Sequence, residues 1–210
     1  MLFRSLVFPE AFGLSDHAKG RAQRLAEAGY VALACDLHGG GRQLTSLDEV
    51  MGALGPLMAD PLHTRARAAG ALEALKARPE VDSNRIASTG YCFGGTMSLE
   101  LARGGADIRG VVGFHSGLGT ARPQDSGNIK AKIVVCIGAD DPMIPPELRG
   151  TFEQEMREGK VDWQMHLYGG VVHSFTNRDV DQMGNPALRY DAAADARSWA
   201  TMIDLFEEIF

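Results

Sequence analysis

Short apolar runs alternate along the chain with longer segments in which apolar residues recur every three or four positions. Six of the short runs predict β-strands, at residues 6–8, 30–35, 85–89, 109–114, 133–137 and 163–168. The first two runs are continuously apolar, which is typical of parallel strands that are covered on both faces. Because strands and helices alternate throughout, the pattern predicts an α/β fold with a mainly parallel sheet and helices on both of its faces.

The helical segments carry sequence signals at their ends. Ser15 is a favoured N-cap for a helix that reaches Ala28, and Gly29 is a favoured residue to end that helix. Further helices are expected near residues 47–58, 63–77, 96–103 and 146–157. Residues 187–209 predict a long amphipathic helix, with one apolar side formed by Leu188, Trp199, Met202, Ile203, Phe206 and Ile209.

Residues that can carry chemistry follow five of the predicted strands. Glu10 follows the first strand, Cys92 the third, His115 the fourth, the Asp140–Asp141 pair the fifth and His173 the sixth. In parallel sheets the carboxyl ends of the strands meet at one edge, and ligands bind there. We therefore expect a nucleophile, acids and histidines to gather at this edge.

The segment Gly-Tyr-Cys-Phe-Gly-Gly at residues 90–95 lies between a predicted strand and a predicted helix. This is the pattern of a nucleophile elbow with cysteine in the position of serine. Gly90 and Gly94 leave space for the sharp turn that places Cys92 at its tip. The helix that follows would direct its amide end at the thiol, with the N–H of Phe93 as an oxyanion donor. The alternative is that Cys92 is a small buried core residue.

A thiol nucleophile needs a base, and the base needs an orienting acid. The order Cys92, Asp141, His173 is the nucleophile–acid–histidine order of α/β-hydrolases. His115 is the reserve base, and a hydrogen-bonded loop residue is the alternative role for His173. Of the other histidines, we expect His38 to be bonded to backbone and three to lie at the surface: His17, His63 and His166.

Composition narrows the function classes. The chain has 210 residues, of which 45% are hydrophobic, so it can form a substantial core. Its net charge of −6 argues against nucleic-acid binding, and no apolar run reaches the roughly 18 residues of a membrane span. Three cysteines without a C-x-x-C pair argue against a disulfide framework or a zinc site and favour a reducing, cytoplasmic location.

Five sequence blocks together resemble the dienelactone hydrolase family. They are residues 10–13, 29–30 with 36–37, 90–95, 138–141 with Pro145, and 169–175. The resemblance implies one α/β-hydrolase domain over residues 1–210. It also implies Cys92 as nucleophile and His173 as base, and it selects Asp141 rather than Asp140 as the orienting acid.

The same resemblance implies further site residues. The N–H of Ala11 would join that of Phe93 in binding the oxyanion, and Glu10 would lie beside the thiol. A carboxylate in that place can accept the S–H hydrogen bond and would oppose formation of the thiolate. Four residues are expected to line the substrate pocket: Phe12, Tyr91, His115 and Asn177.

Two departures from the family pattern matter. The family carries a carboxylate-binding arginine four residues after the catalytic histidine, where this chain has Asn177, with Arg178 one residue further on; Arg42 and Arg149 are candidates to substitute for it. Dienelactone is therefore not carried over as the substrate. Family members usually have two further strands before the one that ends at Glu10, and this sequence begins too late for them: either the start codon is misplaced or the sheet is trimmed. In a trimmed sheet the strand at 30–35 would lie at the edge, which predicts a homodimer through that edge.

The sequence therefore predicts a cysteine-dependent hydrolase that cleaves a small ester or lactone through an acyl-thioester, without a metal or cofactor. No nucleic-acid or membrane partner is expected. Because a fold does not determine a function, the alternative is a non-hydrolytic ligand-binding or redox-responsive protein on the same fold.

Overall fold

The computed structural model describes residues 3–210, in which parallel strands alternate with helices. The strands are β1 (Phe3–Phe8), β2 (Tyr30–Ala34), β3 (Ile86–Tyr91), β4 (Gly110–Phe114), β5 (Lys132–Gly138) and β6 (Trp163–Tyr168). They form a six-stranded sheet in the order β2-β1-β3-β4-β5-β6, and every pair is parallel. The predicted α/β fold is confirmed.

Six α-helices connect the strands or follow them. They are α1 (Asp16–Glu27), α2 (Leu47–Ala59), α3 (Pro61–Lys76), α4 (Phe93–Arg103), α5 (Pro146–Glu158) and α6 (Ala192–Ile209). Ser15 caps α1 by accepting a hydrogen bond from the N–H of Ala18, and Gly29 after this helix has a φ of +91°. Short 3₁₀ turns lie at Pro123–Asn128 and Arg178–Met183.

The predicted start of the last helix is wrong. Helix α6 begins at Ala192, because Asp191 accepts a hydrogen bond from the N–H of Ala194 at 2.8 Å and so acts as its N-cap. Leu188 is therefore not part of the apolar side of this helix. It forms an isolated parallel bridge with His173 instead, and the carbonyl of Ala187 accepts the N–H of His173 at 3.1 Å.

The two faces of the sheet bury alternate residues of each strand. In β5, Ile133, Val135 and Ile137 pack in a core with α2, α3, α4 and α5. Val134 and Cys136 of the same strand pack in a second core with α1 and α6. This alternation follows from the two-residue period of a strand. Helices therefore cover both faces of the sheet. A strand residue can contribute only to a site on the face toward which its side chain points.

The order in which the chain adds strands to the sheet reverses at β1. Helix α1 leads from β1 to β2 on one side, and the chain then returns through α2 and α3 to place β3 on the other side of β1. Such a switch point leaves a crevice at the carboxyl ends of the two strands. Glu10 follows β1 and Cys92 follows β3, so both residues lie at this crevice.

Strand β2 forms one edge of the sheet. Its residues are only partly buried, and its ladder joins it to β1. The predicted edge position is confirmed, whereas the homodimer through this edge stays a prediction. Among residues 3–210, no helix combines the length and apolar character needed to cross a membrane.

Candidate active site

Cys92 occupies a strained turn between β3 and α4. Its backbone has a φ of 53° and a ψ of −120°, a conformation that costs a non-glycine residue about 1–3 kcal/mol. A Cβ atom on Gly90 would lie 2.0 Å from the carbonyl oxygen of Gly94, and one on Gly94 would lie 2.3 Å from that of Phe8. The turn therefore requires both glycines, as the predicted nucleophile elbow does.

His173 is joined to Asp141 across two loops. Nδ1 of His173 lies 2.7 Å from Oδ2 of Asp141, and Oδ1 of Asp141 accepts the N–H of Met143 at 2.8 Å. Asp141 is buried, whereas Asp140 is exposed. The structure thus brings Asp141 to the histidine, in agreement with the residue selected from the sequence.

The other ring nitrogen of His173 is buried and has no hydrogen-bond partner among the described residues. Burial lowers the pKa of this imidazole, but the nearby Cys92 sulfur and the Asp141 hydrogen bond outweigh burial and raise the pKa to about 10. The charged form of the imidazole is thus favoured. This arrangement suits a group that exchanges a proton with the thiol and with a bound reactant.

A cavity of about 520 Å³ opens beside Cys92, and His173 lines it. Ala11 and Phe93, which carry the two expected oxyanion donors, also line it. The N–H of Phe93 is the first in α4, and the first amides of a helix have no acceptor within the helix. Most of the remaining wall is apolar, with Leu54, Leu57, Met58, Pro61, Met143 and Ile144.

Glu10 accepts hydrogen bonds from two side chains of the loop that carries His173. Its Oε1 accepts a hydrogen bond from Oγ of Ser174 at 2.7 Å, and its Oε2 accepts one from Nδ2 of Asn177. The expected hydrogen bond from the Cys92 thiol is not what the structure records. Glu10 instead ties the loop after β1 to the loop that carries His173.

The pocket residues expected from the sequence lie elsewhere. Tyr91 is fully buried and stacks on Phe114 at a centroid distance of 4.7 Å, because the strand period directs it to the face opposite the cavity. Asn177 holds Glu10, and Phe12 packs against the core. His115 is buried behind the Cys92 turn. None of these four residues lines the cavity.

His115 supports the backbone of the nucleophile turn. Its Nδ1 lies 3.2 Å from the N–H of Cys92, and its Nε2 lies 2.9 Å from Oγ1 of Thr176. Burial, reinforced by positive neighbours led by His173, lowers the pKa of His115 well below its usual value, so the ring is neutral. Since Nδ1 accepts the Cys92 amide, the hydrogen-bond pattern assigns the proton to Nε2, which donates to Thr176.

His17 continues this chain of hydrogen bonds, and its expected surface position is wrong. Its Nε2 lies 3.2 Å from Oγ1 of Thr176 and accepts Nε–H of Arg21 at 3.2 Å. Its Nδ1 lies 3.8 Å from Oε2 of Glu10. Burial lowers the pKa of His17 although Glu10 opposes this shift. The spacing of His17 four residues before Arg21 on one helix was the only sequence signal for this contact.

The predicted contact of His38 with backbone is confirmed. Nε2 of His38 lies 2.8 Å from the carbonyl oxygen of Ala11, so this histidine is bonded to backbone. Cys35 and Cys136 are buried and free, and burial raises the pKa of each thiol to about 12. In the described part of the chain, no group of three or more His, Cys, Asp and Glu side chains could hold a metal ion.

A buried ionic cluster under the cavity was missed in the sequence. Arg103 is fully buried and binds Glu155 through two hydrogen bonds of 2.7 Å and Glu100 at 3.0 Å. Arg65 binds Glu100 at 2.8 Å and Asp125 at 2.6 Å. Glu100 also lines the cavity. The signal that could have revealed this cluster is the pair Glu100 and Arg103 inside the otherwise apolar helix α4.

The fold and the site together define a class. A parallel sheet with a strained nucleophile turn after β3, and an acid and a histidine on two later loops, is the arrangement of an α/β-hydrolase. The sequence pattern of the dienelactone hydrolase family matches residues 5–210. The chain belongs to the dienelactone hydrolase family, and its class of activity is that of a carboxylic ester hydrolase.

Similar proteins cover nearly the whole chain. A solved structure of a dienelactone hydrolase-like promiscuous phosphotriesterase from metagenomic libraries is 46% identical, covers 99% of this chain and 86% of that one, and has a TM-score of 0.93. A Bradyrhizobium protein named as a 2-oxo-3-(5-oxofuran-2-ylidene)propanoate lactonase is 29% identical over 81% of this chain and 72% of its own length. A Synechocystis protein named as a carboxymethylenebutenolidase is 27% identical over 96% of this chain and 84% of its own length.

Proposed function

We propose that this chain is a cysteine hydrolase that cleaves small esters or lactones with Cys92, His173 and Asp141 as a catalytic triad. The observation that carries the proposal is the position of Cys92 on a strained turn, at a cavity that His173 also lines. Nδ1 of this histidine is hydrogen-bonded to the buried Asp141. Cys92 is the nucleophile, His173 is the acid and base, and Asp141 fixes the orientation of the imidazole.

The first half of the reaction forms an acyl-thioester. The Cys92 sulfur attacks the ester carbonyl carbon, a C–S bond forms, and the carbonyl electrons move to the oxygen. The N–H groups of Phe93 and Ala11 bind this oxyanion. When the carbonyl re-forms, the C–O bond to the alcohol breaks, and the imidazolium of His173 donates its Nε2 proton to the leaving oxygen.

The second half returns the enzyme to its starting state. Neutral His173 takes a proton from water while the water oxygen attacks the thioester carbonyl. A second oxyanion forms at the same two amides and collapses, so the C–S bond breaks and the carboxylic acid leaves. The sulfur keeps the electron pair opposite the protonated imidazole. No metal or cofactor takes part in these steps.

Phosphotriesters are a second candidate class of substrate. The 46%-identical solved structure is named for phosphotriesterase activity, and the cavity wall of this chain is largely apolar, as neutral triesters require. In that reaction the Cys92 sulfur would attack phosphorus and expel an aryl oxide, and water would then cleave the S–P bond. Because all three cysteines are free, either activity fits a reducing compartment such as the cytoplasm.

The direct test is hydrolysis of a panel of p-nitrophenyl acetate, simple lactones and paraoxon by wild type, Cys92→Ala and Cys92→Ser. We expect Cys92→Ala to lose about 10³-fold or more in kcat. Burst kinetics and mass spectrometry of rapidly quenched wild type should reveal acylated Cys92. Equal activity in wild type and Cys92→Ala would remove Cys92 as the nucleophile. Alkylation of Cys92 without turnover of any substrate would favour the ligand-binding or redox-responsive alternative.

A further inference from the structure

No lysine or arginine of the described chain lines the cavity beside Cys92. Among the described residues that form its wall, the charged side chains are Glu100 and His173. His173 is already paired with Asp141 and lies beside the Cys92 sulfur, so its charge is balanced within the triad. The cavity therefore offers no free positive side chain to an anionic group of a ligand.

The arginines that could have filled this role are engaged elsewhere. Arg149 donates to the carbonyl of Ala139 at 3.3 Å, and Arg42 is exposed; neither lines the cavity. Arg65 and Arg103 lie beneath the wall, and both are bound to carboxylates. These two arginines face three carboxylates, those of Glu100, Glu155 and Asp125.

The third arginine of this cluster, Arg122, reaches Asp125 from a position that is 44% exposed. Three arginines thus meet three carboxylates in this cluster, and Glu100 at the cavity floor is paired with both Arg65 and Arg103. The cluster therefore supplies no unpaired positive charge to an anionic ligand in the cavity.

Two hydroxyl groups of the wall are also occupied as donors. The hydroxyl of Thr96 donates to the carbonyl of Gly117 at 3.0 Å, and that of Thr64 donates to the carbonyl of Leu57 at 2.8 Å. An anionic group in the cavity would lose water without gaining these donors, and such a loss is unfavourable. The apolar wall continues to solvent at Met58 and Met143, which are 62% and 48% exposed.

From these observations we infer that the active-site cavity selects esters whose bound part is uncharged and apolar, and discriminates against substrates that carry a carboxylate there. The inference rests on the proposed function. It separates this chain from relatives named for carboxymethylenebutenolide, a lactone with a carboxylate. The specificity residues are Glu100, which keeps Arg65 and Arg103 paired beneath the floor, and Met58 and Met143, as the apolar walls of the entrance.

Two aryl acetates of similar size test the inference. Methyl 4-acetoxybenzoate and 4-acetoxybenzoate differ in charge at a position remote from the reacting acetyl carbonyl. To correct for their different intrinsic reactivities, each enzymatic rate is divided by the rate at which hydroxide hydrolyses the same compound. We expect wild type to show a kcat/KM at least about tenfold higher for the methyl ester. Equal normalised values, or a preference for the carboxylate, would overturn the inference and leave the proposed hydrolase intact.

A matched pair of variants locates the selectivity in the cavity. Met143→Lys places a cation at the entrance, and Met143→Gln has a similar length without the charge. We expect Met143→Lys, and not Met143→Gln, to narrow the difference between the two substrates by about tenfold through a lower KM for the carboxylate. An unchanged ratio in Met143→Lys would show that the cavity does not bind this part of the substrate.

A binding measurement tests the selectivity of the cavity without requiring that a substrate is hydrolysed. Methyl benzoate and benzoate are added to wild type, and the rate of Cys92 alkylation by iodoacetamide is followed. We expect methyl benzoate to protect Cys92 at concentrations where benzoate does not. Protection by the ester alone, together with no hydrolysis of any substrate, would support the selectivity of the cavity while the hydrolase proposal fails. Equal protection by both compounds would overturn the inference.

Discussion

Nδ1 of His115 lies 3.2 Å from the backbone N–H of Cys92 and so acts as its acceptor on the side of the turn away from the cavity. The same amide also donates to the carbonyl of Phe114 at 3.0 Å. His115 is therefore a positioning residue for the strained turn. Through Thr176 it connects this turn to the loop that carries His173. The two halves of the proposed triad are thus held by one buried set of hydrogen bonds.

Thr176→Val should lower kcat by about tenfold with little change in KM, because the His115 Nε2–H loses its buried acceptor, at a cost of about 1–3 kcal/mol. Thr176→Ser keeps the hydroxyl and should retain most of the activity. Steady-state kinetics of both variants on a neutral ester would check this. If Thr176→Val and Thr176→Ser lose activity equally, the hydroxyl is not what matters at this position.

Removing the sulfur should lower the pKa of His173. After burial, which acts in the opposite direction, the Cys92 sulfur is the largest influence and helps to raise this pKa to about 10. In Cys92→Ala the imidazole keeps Asp141 but loses the sulfur, so its titration should move to lower pH. NMR titration of the His173 ring in the two proteins measures the shift. An unchanged midpoint would mean that Asp141 alone sets the protonation of His173.

The raised pKa also predicts how stability depends on pH. A protonated His173 is favoured in the folded state, so its contribution to the free energy of unfolding is complete below the ordinary value of 6.5 and is lost as the pH rises through about 10. Urea unfolding of wild type and His173→Gln across this range is the measurement. The stability of wild type relative to His173→Gln should fall as the pH rises; a constant difference would contradict the assignment.

Cys92 should be the one thiol that reacts quickly near neutral pH. Cys35 and Cys136 are buried, and the pKa of each is raised to about 12, whereas Cys92 is partly exposed at the cavity. Iodoacetamide followed by peptide mass spectrometry should label Cys92, and Cys92→Ala should remain unlabelled. Rapid labelling of Cys35 or Cys136 in the folded protein would count against this account of reactivity.

Gly94→Ala should lower the free energy of unfolding by about 1–3 kcal/mol, because its Cβ would contact rigid backbone at Phe8 and Pro9. Gly70→Ala is the matched control. Gly70 lies in α3 with no atom within 4 Å of an added Cβ, so the change should be neutral or stabilising. Urea denaturation compares the two variants. Equal stability changes would show that the elbow tolerates a side chain at Gly94.

Much of the fold could be predicted because the local pattern and the tertiary structure agree. All six strands were found, because short apolar or partly apolar runs alternate along the chain with segments of helical period. The start of α6 was missed because residues 187–189 contact the His173 loop, a long-range interaction that no local pattern contains. The Asp191 N-cap was present in the sequence and could have corrected the boundary.

Some residues of the candidate site could likewise be predicted from the sequence, and others could not. Cys92, Asp141 and His173 follow strand ends, so strand order alone predicts that they come together. Tyr91 was misplaced because its face of the sheet depends on the strand's twist and register. His17 and Asn177 were misplaced because each contacts a residue that is distant in sequence, Thr176 in the case of His17 and Glu10 in the case of Asn177. Such contacts become visible only when the loops after β1 and β6 are placed side by side.

The residues of the proposed triad and a large part of the apolar cavity wall come from different parts of the chain. The proposed triad follows β3, β5 and β6, whereas three of the apolar wall residues, Leu54, Leu57 and Met58, belong to α2. Helix α2 packs mainly on α3 and begins at a capping box formed by Ser46 and Glu49. Substitutions on its inner side could therefore change the accepted substrate while the reacting atoms stay in place, so new specificities can evolve in this helix without loss of the existing reaction.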